Sequence, residues 1–151
     1  MPTASTSFFG WVAFLLQKYG TLFLRGTGMT LLIALTGTIL GFLIGLLVAI
    51  VRTIAMPRSR DPRRQSSAER VSLAVRRTLL RAVQILMNVY IQVFRGTPMI
   101  VQAVVIYYGA QYAGIYMDTT FAAIFIISIN TGAYMAEIIR GGIVSVDKGQ
   151  F

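Results

Sequence analysis

Cysteine and histidine are both absent from the 151 residues. Their absence excludes a disulfide framework, a thiol nucleophile, zinc sites of the usual ligand types and acid–base chemistry run by an imidazole. Acidic residues are nearly absent too, 5 against 14 Lys and Arg, so the chain carries a formal charge of +9. Charged residues are only 13% of the chain, where a soluble domain carries about 25%. Apolar residues make up 56% and proline only 4 positions, which excludes general disorder. A positively charged stretch ahead of an apolar core, the mark of a secretory signal, is missing: the first cation, Lys18, follows Phe8–Gln17. Lipidation motifs are missing as well. The class that remains is an integral membrane protein.

Charge and grease are separated along the chain. Nine cations fall between Arg52 and Arg81, whereas the 26 residues between Arg25 and Arg52 carry no charge. As a helix, Thr27–Val51 would extend roughly 37 Å, more than the hydrocarbon thickness of about 30 Å. Fourteen Leu, Ile, Val and Phe within it make insertion favourable. The expected organisation is an external, aromatic-rich interfacial helix within 1–26 and a first span at 27–51. A basic cytoplasmic loop with an amphipathic helix follows at 52–81. A second span at 82–117 is bent near 96–98, where Pro98 removes an N–H and disfavours helix at Thr97. A third span follows at 119–139, and 140–151 begins a cytoplasmic loop. Cations are few before the first span, many after it, absent near Gly114–Asp118 and present again at Arg140 and Lys148. That alternation places the N-terminus outside and the C-terminus in the cytoplasm.

Gly37, Gly41 and Gly45 recur at every fourth position and share one helix face. Small residues so spaced let two helices approach closely, either within the chain or between copies. Gln102, Ser128, Asn130 and Thr131 are polar groups at membrane depth, where such groups face protein or a wet cavity. They are candidates for lining a substrate path, with structural hydrogen bonding between helices the competing role. Glu137 and Arg140, three apart, share a helix face and can pair. The pair either fixes how the third span feeds the following loop or is an ordinary surface pair. Gly141 and Gly142 offer a flexible helix end. Arg95 either holds a cytoplasmic mouth or snorkels to the headgroups. No phosphate-binding loop occurs and no carboxylate pair has a base or nucleophile beside it, so the chain is not expected to be an enzyme. No cofactor or metal is expected. The basic stretch has no aromatic residue between Arg52 and Arg81 on which bases could stack. Anionic membrane lipid, and not nucleic acid, is its expected partner.

Two strings carry more information. Tyr90-Ile-Gln-Val-Phe-Arg-Gly-Thr-Pro-Met-Ile-Val-Gln102 contains the motif Phe94, Arg95, Gly96, Thr97, Pro98. Ala133-Tyr-Met-Ala-Glu-Ile-Ile-Arg-Gly-Gly-Ile143 precedes Gly149-Gln150. Together they resemble the permease subunits of ATP-binding-cassette (ABC) importers for polar amino acids, over about Thr27 to Phe151. The resemblance implies an all-α membrane protein, a multi-span helical bundle of the type I ABC importer permease kind. Three spans would be present, with the N-terminal interfacial helix. It implies translocation of a polar amino acid across a bacterial cytoplasmic membrane, with glutamine or glutamate the leading candidates. The implied partners are ABC ATPase subunits, a second permease subunit and an extracytoplasmic amino-acid-binding protein. Coupling to the ATPase would run through Glu137, Arg140, Gly141, Gly142, Gly149 and Gln150. The family's Glu-Ala-Ala signature follows a Gly-Gln-x string, here Gly149, Gln150 and Phe151, so the chain is expected to be a fragment. The alternative is a small structural or regulatory membrane protein that associates through its glycine face and transports nothing.

Overall fold

The computed structural model describes residues 7–54 and 67–147, and every element among them is a helix. Helix α1 is Phe8–Thr53, α2 Ser67–Gly96, α3 Met99–Tyr112 and α4 Thr119–Ser145. By length and composition α1 and α4 can each cross a membrane, and α2 with α3 makes a third crossing only as a pair bent by 110°. Of the three expected spans, the first and third fall on α1 and α4, and the second, expected to bend near 96–98, falls on the pair α2 and α3.

Helix α1 runs unbroken for 46 residues, roughly 69 Å at the usual helical rise. The expected division near residue 26 into an interfacial helix and a span has no counterpart in it. Gly20, Gly26 and Gly28 lower helix propensity by about 1 kcal/mol each, but no proline is there to stop the helix. At its far end the last carbonyls lack intrahelical partners. Gln84 of α2 supplies one, its Nε2 donating to Val51 O at 3.3 Å and Ile54 O at 3.2 Å.

Helix α2 starts at Ser67, so the amphipathic stretch and the apolar stretch after residue 81 form one helix. The chain then breaks between Gly96 and Met99, where Pro98 is the N-cap of α3. A second turn joins α3 to α4 through Gly114, whose φ of 81° favours a residue without a Cβ. Asp118 starts α4 by accepting hydrogen bonds from Thr120 N at 2.9 Å and Phe121 N at 3.2 Å, the usual N-cap arrangement.

The bundle is held chiefly between α1 and α4. A Cβ added at Gly37 would sit 2.6 Å from Ile127 Cγ2, one at Gly41 2.6 Å from Thr131 Cβ, and one at Gly45 2.5 Å from Met135 Cβ. The fit is reciprocal, since a Cβ at Gly132 of α4 would meet Ile44 Cγ2 at 2.8 Å. Backbone thus approaches backbone, as small residues allow in lipid. Ala49, Ala133 and Ala136 are fully buried, while large apolar side chains such as Leu35, Ile39, Leu47 and Phe121 face outward. Gln102, Ser128 and Asn130 are buried. Grease outside and polar groups inside is the reverse of a soluble domain.

Candidate functional site

Two polar clusters lie between the helices. The first is at the break between α2 and α3. In a continuous helix the Phe94 carbonyl would accept from the N–H of residue 98, and Pro98 has none. Gln102 replaces that donor: its Nε2 lies 2.8 Å from Phe94 O, 2.9 Å from Thr97 O and 2.8 Å from Thr97 Oγ1. Its Oε1 accepts from Asn130 Nδ2 of α4 at 2.9 Å, and the same amide reaches Phe94 O at 3.4 Å. Thr97 Oγ1 in turn donates to Val93 O at 2.8 Å. The corner's orphaned carbonyls are thus satisfied by side chains, as burial requires. Of the four polar residues read as path candidates, the structure brings Gln102 and Asn130 together here. Ser128 is apart from them, bonded to Ile124 O one turn back at 2.6 Å, and Thr131 packs on Gly41.

The second cluster joins the ends of α1, α2 and α4. Arg52 Nη1 donates to Glu137 Oε1 in an ion pair. Arg140 Nε stands 4.0 Å from Glu137 Oε2, so Glu137 is shared, with Arg52 as its hydrogen-bonded partner and not the Arg140 expected from helix spacing. Arg95, from the Phe-Arg-Gly-Thr-Pro string, places its guanidinium carbon 5.6 Å from the centre of the Tyr134 ring, within cation–π range. Arg52, Asn88, Gln92, Arg95, Tyr134 and Glu137 surround a cavity of about 470 Å³, within the usual range for ligand pockets. Asn88 Oδ1 on its wall is buried and has no hydrogen-bond partner.

Gly141 and Gly142 are helical, because α4 continues to Ser145. The flexible helix end expected there is corrected: α4 runs on through the pair despite a propensity cost of about 1 kcal/mol per glycine. Gly149 and Gln150 lie outside the described residues. Gly37, Gly41 and Gly45 all meet α4 of the same chain.

The sequence reading missed Arg52, Gln84, Asn88 and Tyr90. Tyr90 donates to Ile129 O at 2.6 Å. Its neighbourhood with Gly132 was invisible without the fold. A polar column at helical spacing, Gln84, Asn88, Gln92 and Arg95, was the available signal for the α2 face.

No family model matches the chain. Individual relatives do. The chain is 33% identical over 141 residues to the putative glutamine transport system permease protein GlnP of Rickettsia conorii, covering 91% of this chain and 54% of that protein. It is 30% identical over 128 residues to the arginine transport system permease protein ArtQ of Bacillus subtilis, covering 84% of this chain and 48% of that protein. Among solved structures, that of an amino acid ABC transporter with histidines matches with a TM-score of 0.70 and 30% identity, over 97% of this chain and 55% of the other. The chain belongs to the amino-acid ABC transporter permeases. It spans about half the length of the permeases it matches. On this permease the first polar cluster contains residues of the string Tyr90–Gln102, and the second contains residues of both Tyr90–Gln102 and Ala133–Ile143.

Proposed function

We propose that the chain is membrane-spanning permease sequence of an ATP-driven importer that moves a polar amino acid across a bacterial cytoplasmic membrane. One observation carries the reading. A greasy-sided helical bundle with a polar interior is 30–33% identical, over more than four-fifths of its length, to permeases named for amino-acid transport. Glutamine leads as substrate through the Rickettsia relative, named a putative glutamine permease, and glutamate stands beside it on the sequence resemblance alone. Relatives named for arginine and L-cystine hold the class at polar amino acids. The partners are two ATPase subunits, a second permease subunit and an outer binding protein, and ATP is hydrolysed on the ATPase subunits. The N-terminus lies outside.

Within that reading Glu137 and Arg140 pass force from the ATPase into α4, together with Gly141, Gly142, Gly149 and Gln150. Gln102 and Asn130 support the corner, their hydrogen-bonding groups being engaged with Phe94 and Thr97. Ser128 and Thr131 remain path candidates from their depth. The competing account, a non-transporting helix-associating protein, needs an unoccupied glycine face, and Gly37, Gly41 and Gly45 are covered by α4.

Reconstitution tests the assignment. Proteoliposomes carrying the full permease sequence with its ATPase should accumulate a labelled polar amino acid only when ATP is present on the ATPase side. Uptake that persists without ATP, or none for any polar amino acid, would remove it.

A further inference from the structure

Helix α2 divides in two by what its side chains meet. In the second half Met87, Tyr90, Ile91 and Phe94 pack into the core, and Gln84 reaches the last carbonyls of α1. In the first half Val71, Val75 and Leu79 are exposed. At about 3.6 residues per turn these three share one face with Ala82. Arg76 borders that face on one side and Arg81 on the other, both exposed, and Arg70 lies on the Arg81 side. Glu69–Ala82 carries four arginines against one acid, Glu69. Exposed valine and leucine are costly in water, and the arginines beside them forbid burial in hydrocarbon. The boundary between the two phases satisfies both. Gln84 sets the level, because the Val51 and Ile54 carbonyls it meets lie at the end of a helix able to cross the membrane.

We propose that the first half of α2 lies in the membrane boundary and binds anionic phospholipid. Val71, Val75 and Leu79 enter the upper acyl layer, and Arg76 and Arg81 take head-group phosphates. The expectation drawn from the basic stretch as a whole thus narrows to one face and two arginines. Charge selects this occupant. An anionic leaflet offers a plane of phosphates whose potential attracts each nearby cation, and a guanidinium grips a phosphate with two parallel N–H donors. The apolar stems of Arg76 and Arg81 lie along the lipid while their heads stay wet. A second copy docked through the same face would set arginine against arginine, and a neutral apolar partner would leave both without counter-charge. The proposal requires that the chain crosses a membrane, and not what the chain carries. Because α2 runs unbroken to Gly96, lipid held at its start anchors the arm that enters the Pro98 corner.

The absence of cysteine allows a single reporter. Val75→Cys carries a fluorophore on the exposed face, and Leu35→Cys, on the outward side of α1, is the control held within lipid. The full chain is placed, one copy per disc, in nanodiscs of phosphatidylcholine alone or of phosphatidylcholine with phosphatidylglycerol at roughly 7:3. Quenching by acrylamide, an uncharged aqueous quencher, is then measured. The Val75→Cys label should be shielded in the anionic discs and open to quencher in the neutral ones, while the Leu35→Cys label is shielded in both. Salt at about 1 M, where the Debye length is about 3 Å, should reopen the Val75→Cys label. Arg76→Gln with Arg81→Gln should lower the ratio of bound to free half-helix roughly thirty-fold, about five-fold per arginine. Arg76→Lys with Arg81→Lys should keep most of the shielding. The lipid and salt arms stand on the reporter alone if the glutamine variant fails to insert. Equal shielding in neutral and anionic discs overturns the proposal, as does shielding that survives the glutamine variant or that inorganic phosphate produces in neutral discs. Shielding that needs two chains per disc assigns the face to a second copy, and shielding that needs added ATPase subunits assigns it to them. Either result overturns the lipid assignment.

Discussion

Arg52, in the last turn of α1, is ion-paired with Glu137 of α4 across 85 positions of sequence. Both side chains are largely shielded from solvent, and Arg140 stands behind the carboxylate at 4.0 Å. The pair ties the end of α1 to the helix that leads into the C-terminal segment. Removing Glu137 leaves two guanidinium groups close together without a counter-charge, a costlier state than removing both partners.

Glu137→Gln should therefore lower thermal stability in detergent by more than the double variant Arg52→Met with Glu137→Met. A double-mutant cycle on the pair should give a coupling of about 1–3 kcal/mol. Exchanging the charges, Arg52→Glu with Glu137→Arg, should recover part of the loss. Additive single effects would show that the pair is incidental.

Pro98 and Gln102 should be energetically coupled. Gln102→Ala strands the Phe94 and Thr97 carbonyls and should cost about 1–3 kcal/mol. In a Pro98→Ala background residue 98 regains an N–H for Phe94 O, and the cost of Gln102→Ala should shrink. Thermal unfolding of the four variants in detergent measures both numbers, and an unchanged cost would separate the glutamine from the proline.

The glycine face predicts opposite signs at two positions of the same helix. Gly41→Ala places a methyl 2.6 Å from Thr131 Cβ and should destabilise by about 1–3 kcal/mol, the usual cost of overpacking. Gly28→Ala meets nothing within 4 Å and should be neutral or stabilising by up to about 1 kcal/mol. Unfolding midpoints of the two variants decide it.

Orientation can be read from labelling, again because the chain has no cysteine. In intact cells Gly114→Cys should react with an impermeant thiol reagent and Ser59→Cys should not. The opposite pattern would invert the topology.

What the sequence foretold was local. Pro98 announces the corner because a missing N–H needs no tertiary information. The four-residue recurrence of Gly37, Gly41 and Gly45 announces a close helix contact, though not that Ile127, Thr131 and Met135 fill it. Long-range partners were illegible. Spacing along one helix nominates Arg140 for Glu137, and only the fold delivers Arg52. Continuity was misjudged in the same way. The boundary expected between 1–26 and 27–51, and the flexible end expected at Gly141 and Gly142, both fall inside continuous helix. A penalty of about 1 kcal/mol per glycine does not by itself end a helix. Gln102 and Asn130 show the limit most clearly, since their depth suggested either a substrate path or hydrogen bonding between helices, and only the fold supplies their bond to each other and to Phe94.

The reciprocal glycine seam has a mechanical consequence. With Gly41 seated on Thr131 and Gly132 seated on Ile44, neither helix can slip lengthwise past the other without driving side chains into main chain. Closely packed surfaces resist such gradual deformation. Helices α1 and α4 must therefore travel as one strut, and among the described residues any swing falls to the elbow at Pro98 and the turn at Gly114, where helical continuity is already interrupted.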